Sequence, residues 1–157
     1  MKYAIAITCL FAAQPAFADW QYTRWGMSAE ALVKAANGAA AISAGDPKEN
    51  YPSAKIGASG THKSGSYEFT SKFYFSDAKL SVINLRLVSE NPSAGFNALK
   101  NTMDGLYGKS FSEARGPLAK ITYHDTTNNN RIDLVNFLGQ YVYVEYRPLR
   151  DLNSSGL

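Results

Sequence analysis

Between Tyr67 and Phe75 the chain alternates with a period of two. Tyr67, Phe69, Ser71, Phe73 and Phe75 fall on one side, and Glu68, Thr70, Lys72 and Tyr74 on the other. Only an extended strand keeps such residues on separate faces, so this stretch fixes a sheet with one apolar face. Ser76-Asp77-Ala78-Lys79 turns the chain, and Leu80 to Val88 returns with Ile83, Leu85 and Leu87 on one side, which completes a hairpin. Phe73 shares the apolar parity and is expected in the core, while Lys72 is expected in solvent.

Two helical patterns flank this hairpin. Ser28 is a good N-cap, Glu30 lies in the first turn, and Met27 and Leu32 occupy the positions of a hydrophobic staple. Ala29, Leu32, Val33 and Ala36 make one stripe, and Asn37-Gly38 ends it. Trp25, abutting this helix, is expected to plug the end of the core. A second helix follows Asn91-Pro92, with Ser93 read as its cap. Phe96, Leu99, Met103, Leu106 and Tyr107 recur at helical spacing before Gly108. Gly38 to Ser66, rich in Ala, Gly and Ser, reads mostly as loop leading into a weak strand around Lys55 to His62. Further strands fit Leu118 to Asp125, Arg131 to Phe137 and Tyr141 to Arg147, with turns at Asn128-Asn129-Asn130 and Leu138-Gly139-Gln140. The expected fold is α+β: an antiparallel sheet of about six strands with two helices packed on one face, open to reading as two α-β-β-β repeats.

The first eighteen residues have a different character. Met1-Lys2 is followed by an apolar core from Tyr3 to Ala13, a break at Gln14-Pro15, and Ala16-Phe17-Ala18 with small residues where a signal peptidase reads. This is the layout of a cleaved secretory signal, too short to span a bilayer. The expected organisation is a signal peptide at 1–18, a single α+β domain at 19–150 and a flexible tail at 151–157. The sole cysteine, Cys9, lies in the signal and lacks a lipobox before it, so the mature chain is cysteine-free. That suits a bacterial periplasm, with release outside the cell as the other address.

Composition excludes some classes. With 45% hydrophobic and 18% charged residues the chain is not of a disordered type. Sixteen Lys and Arg face thirteen acids, and losing Lys2 with the signal leaves fifteen, a net charge of +2. Without a basic run, that is no nucleic-acid binder. Past the signal no apolar run is long enough to cross a membrane.

Strong chemical motifs are lacking. His62 and His124 are the only histidines. His124 and Asp125, as strand neighbours, point to opposite faces and do not cooperate directly. No Gly-x-Ser-x-Gly elbow, zinc-ligand spacing or phosphate loop occurs. Asp125 to Asp133 is oxygen-rich but lacks the Gly and Glu of a calcium loop, and a hairpin turn explains it. No cofactor is expected. The aromatics offer more: Tyr141, Tyr143 and Arg147 share one face of the last strand, and Tyr beside Arg suits either a peptide-, glycan- or protein-binding surface or a ladder that merely covers the sheet. Binding candidates are therefore Tyr141, Tyr143, Arg147, His62 and His124. The expected function is a non-enzymatic binding or interaction module contacting an envelope protein or peptide. The alternative is a small hydrolase-like enzyme using His124 or His62 with a carboxylate.

Trp25-Gly26-Met27-Ser28 with Glu30 and Val33, Tyr67-x-Phe69, Phe73-x-Phe75, Leu80-x-x-Ile83-x-Leu85 and Leu106-Tyr107-Gly108 together resemble a group of small exported bacterial proteins of unknown function. The resemblance implies export and carries no activity or site. The helix-then-meander layout is also similar to β-lactamase-inhibitor-like and outer-membrane assembly lipoprotein modules. The lipid-bearing cysteine of the latter is missing here, and the likeness implies nothing about function.

Overall fold

A computed structural model describes residues 20–149. The expected signal segment 1–18, its cleavage site and the tail 151–157 lie outside the described residues. In chain order the elements are α1 (Ala29–Ala36), β1 (Ala40–Ile42), β2 (Lys55–Ser64), β3 (Tyr67–Ser76), β4 (Lys79–Leu87), α2 (Pro92–Tyr107), β5 (Ser112–Ala114), β6 (Leu118–Asp125), β7 (Asn130–Phe137) and β8 (Tyr141–Pro148), with a 3-10 turn at Pro47–Glu49. The strands form one antiparallel sheet in the order β1-β2-β3-β4-β8-β7-β6-β5.

The sheet therefore has eight strands and not about six. The two extra ones, β1 and β5, are three-residue edges. Each helix is followed by four strands, which replaces the α-β-β-β reading. The strand expected around Lys55 to His62 is a ten-residue element paired with β3 along its length. It carries Gly57 and Gly60, which weaken a strand's sequence signal. Both glycines are required by close packing. A Cβ at Gly60 would strike the Ala39 carbonyl, and one at Gly57 would enter the Phe75 ring.

Local chemistry explains the helices and turns. Ser28 Oγ accepts from Ala31 N at 3.2 Å, and Asn37 closes α1 in the left-handed conformation at φ 47°. The cap of α2 is Asn91 and not Ser93: its Oδ1 accepts from Ala94 N at 3.1 Å, and Pro92 follows in the first turn. Asp77 and Ala78 both have positive φ, as do Leu138 and Gly139, so these two hairpins close through turns whose twist matches that of the strands.

One core joins both halves. Leu32 and Ala36 of α1 and Phe96, Leu99 and Met103 of α2 pack with Phe69, Phe73, Ile83, Leu85, Ile121, Tyr123, Ile132, Leu134, Val142 and Val144. Both helices thus cover the same sheet face. Phe73 is fully buried, and truncating such a ring to Ala costs about 3–5 kcal/mol. Trp20 is the more buried tryptophan, at 7% exposure, and packs on Phe73. Trp25 is half-buried, its Nε1 donating to Asn130 Oδ1 at 3.0 Å. Leu106, expected on the buried stripe of α2, is instead 69% exposed. Lys72 is partly covered and pairs with Glu49.

Neither α1 nor α2 lies on the second face, which is crossed by the segment carrying the 3-10 turn at Pro47–Glu49. Tyr74, which alternates onto this face with Thr70 and Lys72 and pairs with Val82, joins Ala54, Ile56 and Val82 there in a smaller cluster. Among the described residues no helix is long and apolar enough to cross a membrane.

Candidate functional site

The second face is a grid whose columns are strands and whose rows follow from register. Lys72, Asn84, Glu145, Asp133 and Thr122 stand side by side across β3, β4, β8, β7 and β6. The next row runs Thr70, Arg86, Tyr143, Val135 and Lys120. Beyond it lie Tyr141, Phe137 and Leu118, and on the opposite flank Arg147, Arg131 and His124. Four of the five candidates from the sequence, Tyr141, Tyr143, Arg147 and His124, accordingly share this face.

His62 does not. It pairs with Phe69 and lies on the helix side, its ring edge-on to Trp20 at 4.9 Å and stacked near Phe69. Its Nε2 lies 3.2 Å from Gln21 Nε2, an amide nitrogen that can only donate. Together with Trp20, Tyr67, Leu99 and Met103 it lines a small apolar crevice of about 100 Å³. His124 stacks on Phe111 at 4.0 Å. Among the described residues neither histidine is hydrogen-bonded to a carboxylate. Also among the described residues, no group of three or more His, Cys, Asp or Glu could hold a metal. In the oxygen-rich run, Asp125 accepts from the Asn128 backbone at 3.1 Å and side chain at 2.8 Å, the work of a turn cap.

The middle of the grid is electrostatically dense. Asp133, 5% exposed, accepts from Thr122 Oγ1 at 2.6 Å and pairs with Lys120 at 3.0 Å and Arg131 at 3.2 Å. Burial pushes its carboxyl upward, but the hydrogen bonds from Thr122 and Lys120 and the two cationic charges prevail, leaving it below the usual carboxylate range. Glu145 accepts from Arg147 Nε at 2.6 Å and from the Tyr51 hydroxyl. Burial, then the bond to Glu145, pushes the Tyr51 phenol far up, so it remains a donor. Burial also lifts Tyr74, to about 12.

Tyr51 arrives on a strap between β1 and β2. Its ring meets Tyr74 edge-on at 4.7 Å, and the Arg147 guanidinium lies 5.0 Å over it. The strap divides the face into two grooves, with Tyr51 lining both. The smaller, about 260 Å³, is floored by Lys72, Asn84, Arg86, Tyr141 and Tyr143. The larger, about 760 Å³, is lined by Lys120, His124, Arg131, Asp133 and Arg147.

At the smaller groove Phe137 stacks on Tyr141 at 4.9 Å, Tyr143 follows at 6.3 Å, and the Arg86 guanidinium lies 4.6 Å over the Tyr141 ring. The parity of β8 revealed Tyr141, Tyr143 and Arg147. It could not reveal Arg86, Asp133 or Tyr51, whose place depends on the pairing of β4 with β8 and on the path of the strap. Compared with family models, curated proteins and solved structures, the chain matches none at a level that establishes relatedness.

Proposed function

We propose that the chain is an exported, non-catalytic binding module that takes a protein or peptide partner on the sheet face opposite α1 and α2. The observation that carries this reading is the gathering of Tyr141, Tyr143, Arg86, Arg147, Arg131 and Lys120 on that face, while both helices pack on the other. Tyr and Arg are the residue types over-represented among those that dominate protein interfaces. The carboxylates within the grid are already held by neighbours, so they serve as fixed counter-charges rather than free bases. Export follows from the signal-like residues 1–18, and the address is the periplasm or the medium.

Genetic complementation separates this reading from the enzymatic one. A folded, exported His62→Gln, His124→Gln double variant is expected to support the cellular role, and a Tyr141→Ser, Tyr143→Ser double variant to lose it. A general base contributes about 100-fold or more in rate, so an imidazole-dependent enzyme would fail with the first pair. The opposite pattern would overturn the binding reading.

A further inference from the structure

Arg86 and Arg147 each stand two residues beyond the paired Asn84 and Glu145, on the two antiparallel central strands. They therefore flank that pair on opposite sides, and each guanidinium lies over a tyrosine, Arg86 over Tyr141 and Arg147 over Tyr51. The two differ in their anion. Arg147 donates to Glu145 at 2.6 Å. The other cations lining the two grooves are likewise matched, Lys72 by Glu49, and Lys120 and Arg131 by Asp133. Arg86 is exposed and, among the described residues, meets no carboxylate.

We propose that Arg86, held over Tyr141 beside Tyr143, is the anchor for a carboxylate side chain of an acidic polypeptide partner. The proposal rests on the face opposite α1 and α2 being the binding face. A planar guanidinium takes a carboxylate through two parallel hydrogen bonds, and stacking on a ring reduces the freedom lost when it does so. The surroundings suit a polypeptide. Asn84 and Thr70, the row neighbours of Lys72 and Arg86, supply an amide and a hydroxyl for main-chain groups. The rings do not form a free platform for a sugar: Tyr141 is stacked by Phe137 and overlain by Arg86. What the groove offers is guanidinium, hydroxyl and ring edge.

The test is an NMR titration of the isotope-labelled exported chain with three acetylated and amidated pentapeptides. They are Gly-Glu-Phe-Glu-Gly and its counterparts with both Glu replaced by Gln or by Lys. The Glu peptide is expected to give saturable shifts at Arg86, Tyr141 and Tyr143. Binding should weaken about tenfold in Arg86→Gln, and also as salt screens the pair. Equal binding of the Gln or Lys peptide at those residues would overturn the carboxylate anchor and leave the face as a binding surface. Failure of all three to shift any residue of the face would overturn both. Undiminished binding in Arg86→Gln would overturn the anchor alone. Comparison of the three peptides needs only the unaltered protein, so the proposal can be refuted even if Arg86→Gln does not fold.

Discussion

His62 occupies a place where a charged imidazole is disfavoured. Its ring packs against Trp20 and Phe69, with the Gln21 amide 3.2 Å from Nε2. Burial lowers its pKa below the ordinary histidine value. The consequence for stability has a definite sign. A depressed pKa means the unfolded chain binds the proton more readily than the folded one. The contribution is full above the unfolded value of about 6.5 and is lost as the pH falls through the folded value. Chemical-denaturation midpoints measured from about pH 7.5 downward should therefore decline for the wild type, beginning near 6.5. His62→Gln should flatten that part of the profile. Asp133, also depressed, acts in the same direction but only in the more acidic carboxylate range. An unchanged profile in the variant would show that His62 titrates as freely folded as unfolded.

At the level of elements, the sequence was readable where side chains carried a long enough period. β3, β4 and the strands from Leu118 onward have eight to ten residues each, and alternation or turn chemistry marks them. β1 and β5 have three residues, too few to show a period, and owe their extended form to pairing with β2 and β6. The same limit hid half of the candidate site. Parity within β8 is local, whereas the meeting of Arg86 with Tyr143 joins residues more than fifty positions apart. Tyr51 was hidden because a strap's resting place is set by the surface it crosses. The weak signal of β2 has a testable cause, because Gly60 lets the chain at Ala39 and Ala40 approach. Gly60→Ala should cost about 1–3 kcal/mol through overpacking and speed hydrogen exchange at Ala40 and Ile42. Gly105→Ala, in α2 with open space around its Cβ, should instead stabilise by up to about 1 kcal/mol. If Gly60→Ala left both stability and exchange unchanged, the contact of β1 with β2 would not be close-packed.

Considered as one molecule, the chain is two helix-plus-four-strand halves joined at β4 and β8, where Ile83 to Arg86 pair with Tyr146 to Tyr143. Four paired positions form a narrow seam. The core does not narrow there: Phe73, Ile83 and Leu85 of the first half share one cluster with Val144, Leu134 and Tyr123 of the second. Trp25 also reaches across the halves to Asn130. If that shared core dominates, neither half retains its buried surface alone, and unfolding is a single transition. Both tryptophans, Trp20 and Trp25, belong to the first half, so their fluorescence reports on it directly. Leu134, fully buried on β7, belongs to the second. Leu134→Ala should remove about 2–5 kcal/mol, and a cooperative molecule passes that loss to every probe. The urea midpoint by tryptophan fluorescence should then fall as far as the midpoint by far-UV circular dichroism. A fluorescence midpoint that stayed in place while the dichroism transition moved or split would mean that the halves unfold separately. The β4–β8 seam, rather than the common core, would then set the cohesion of the fold.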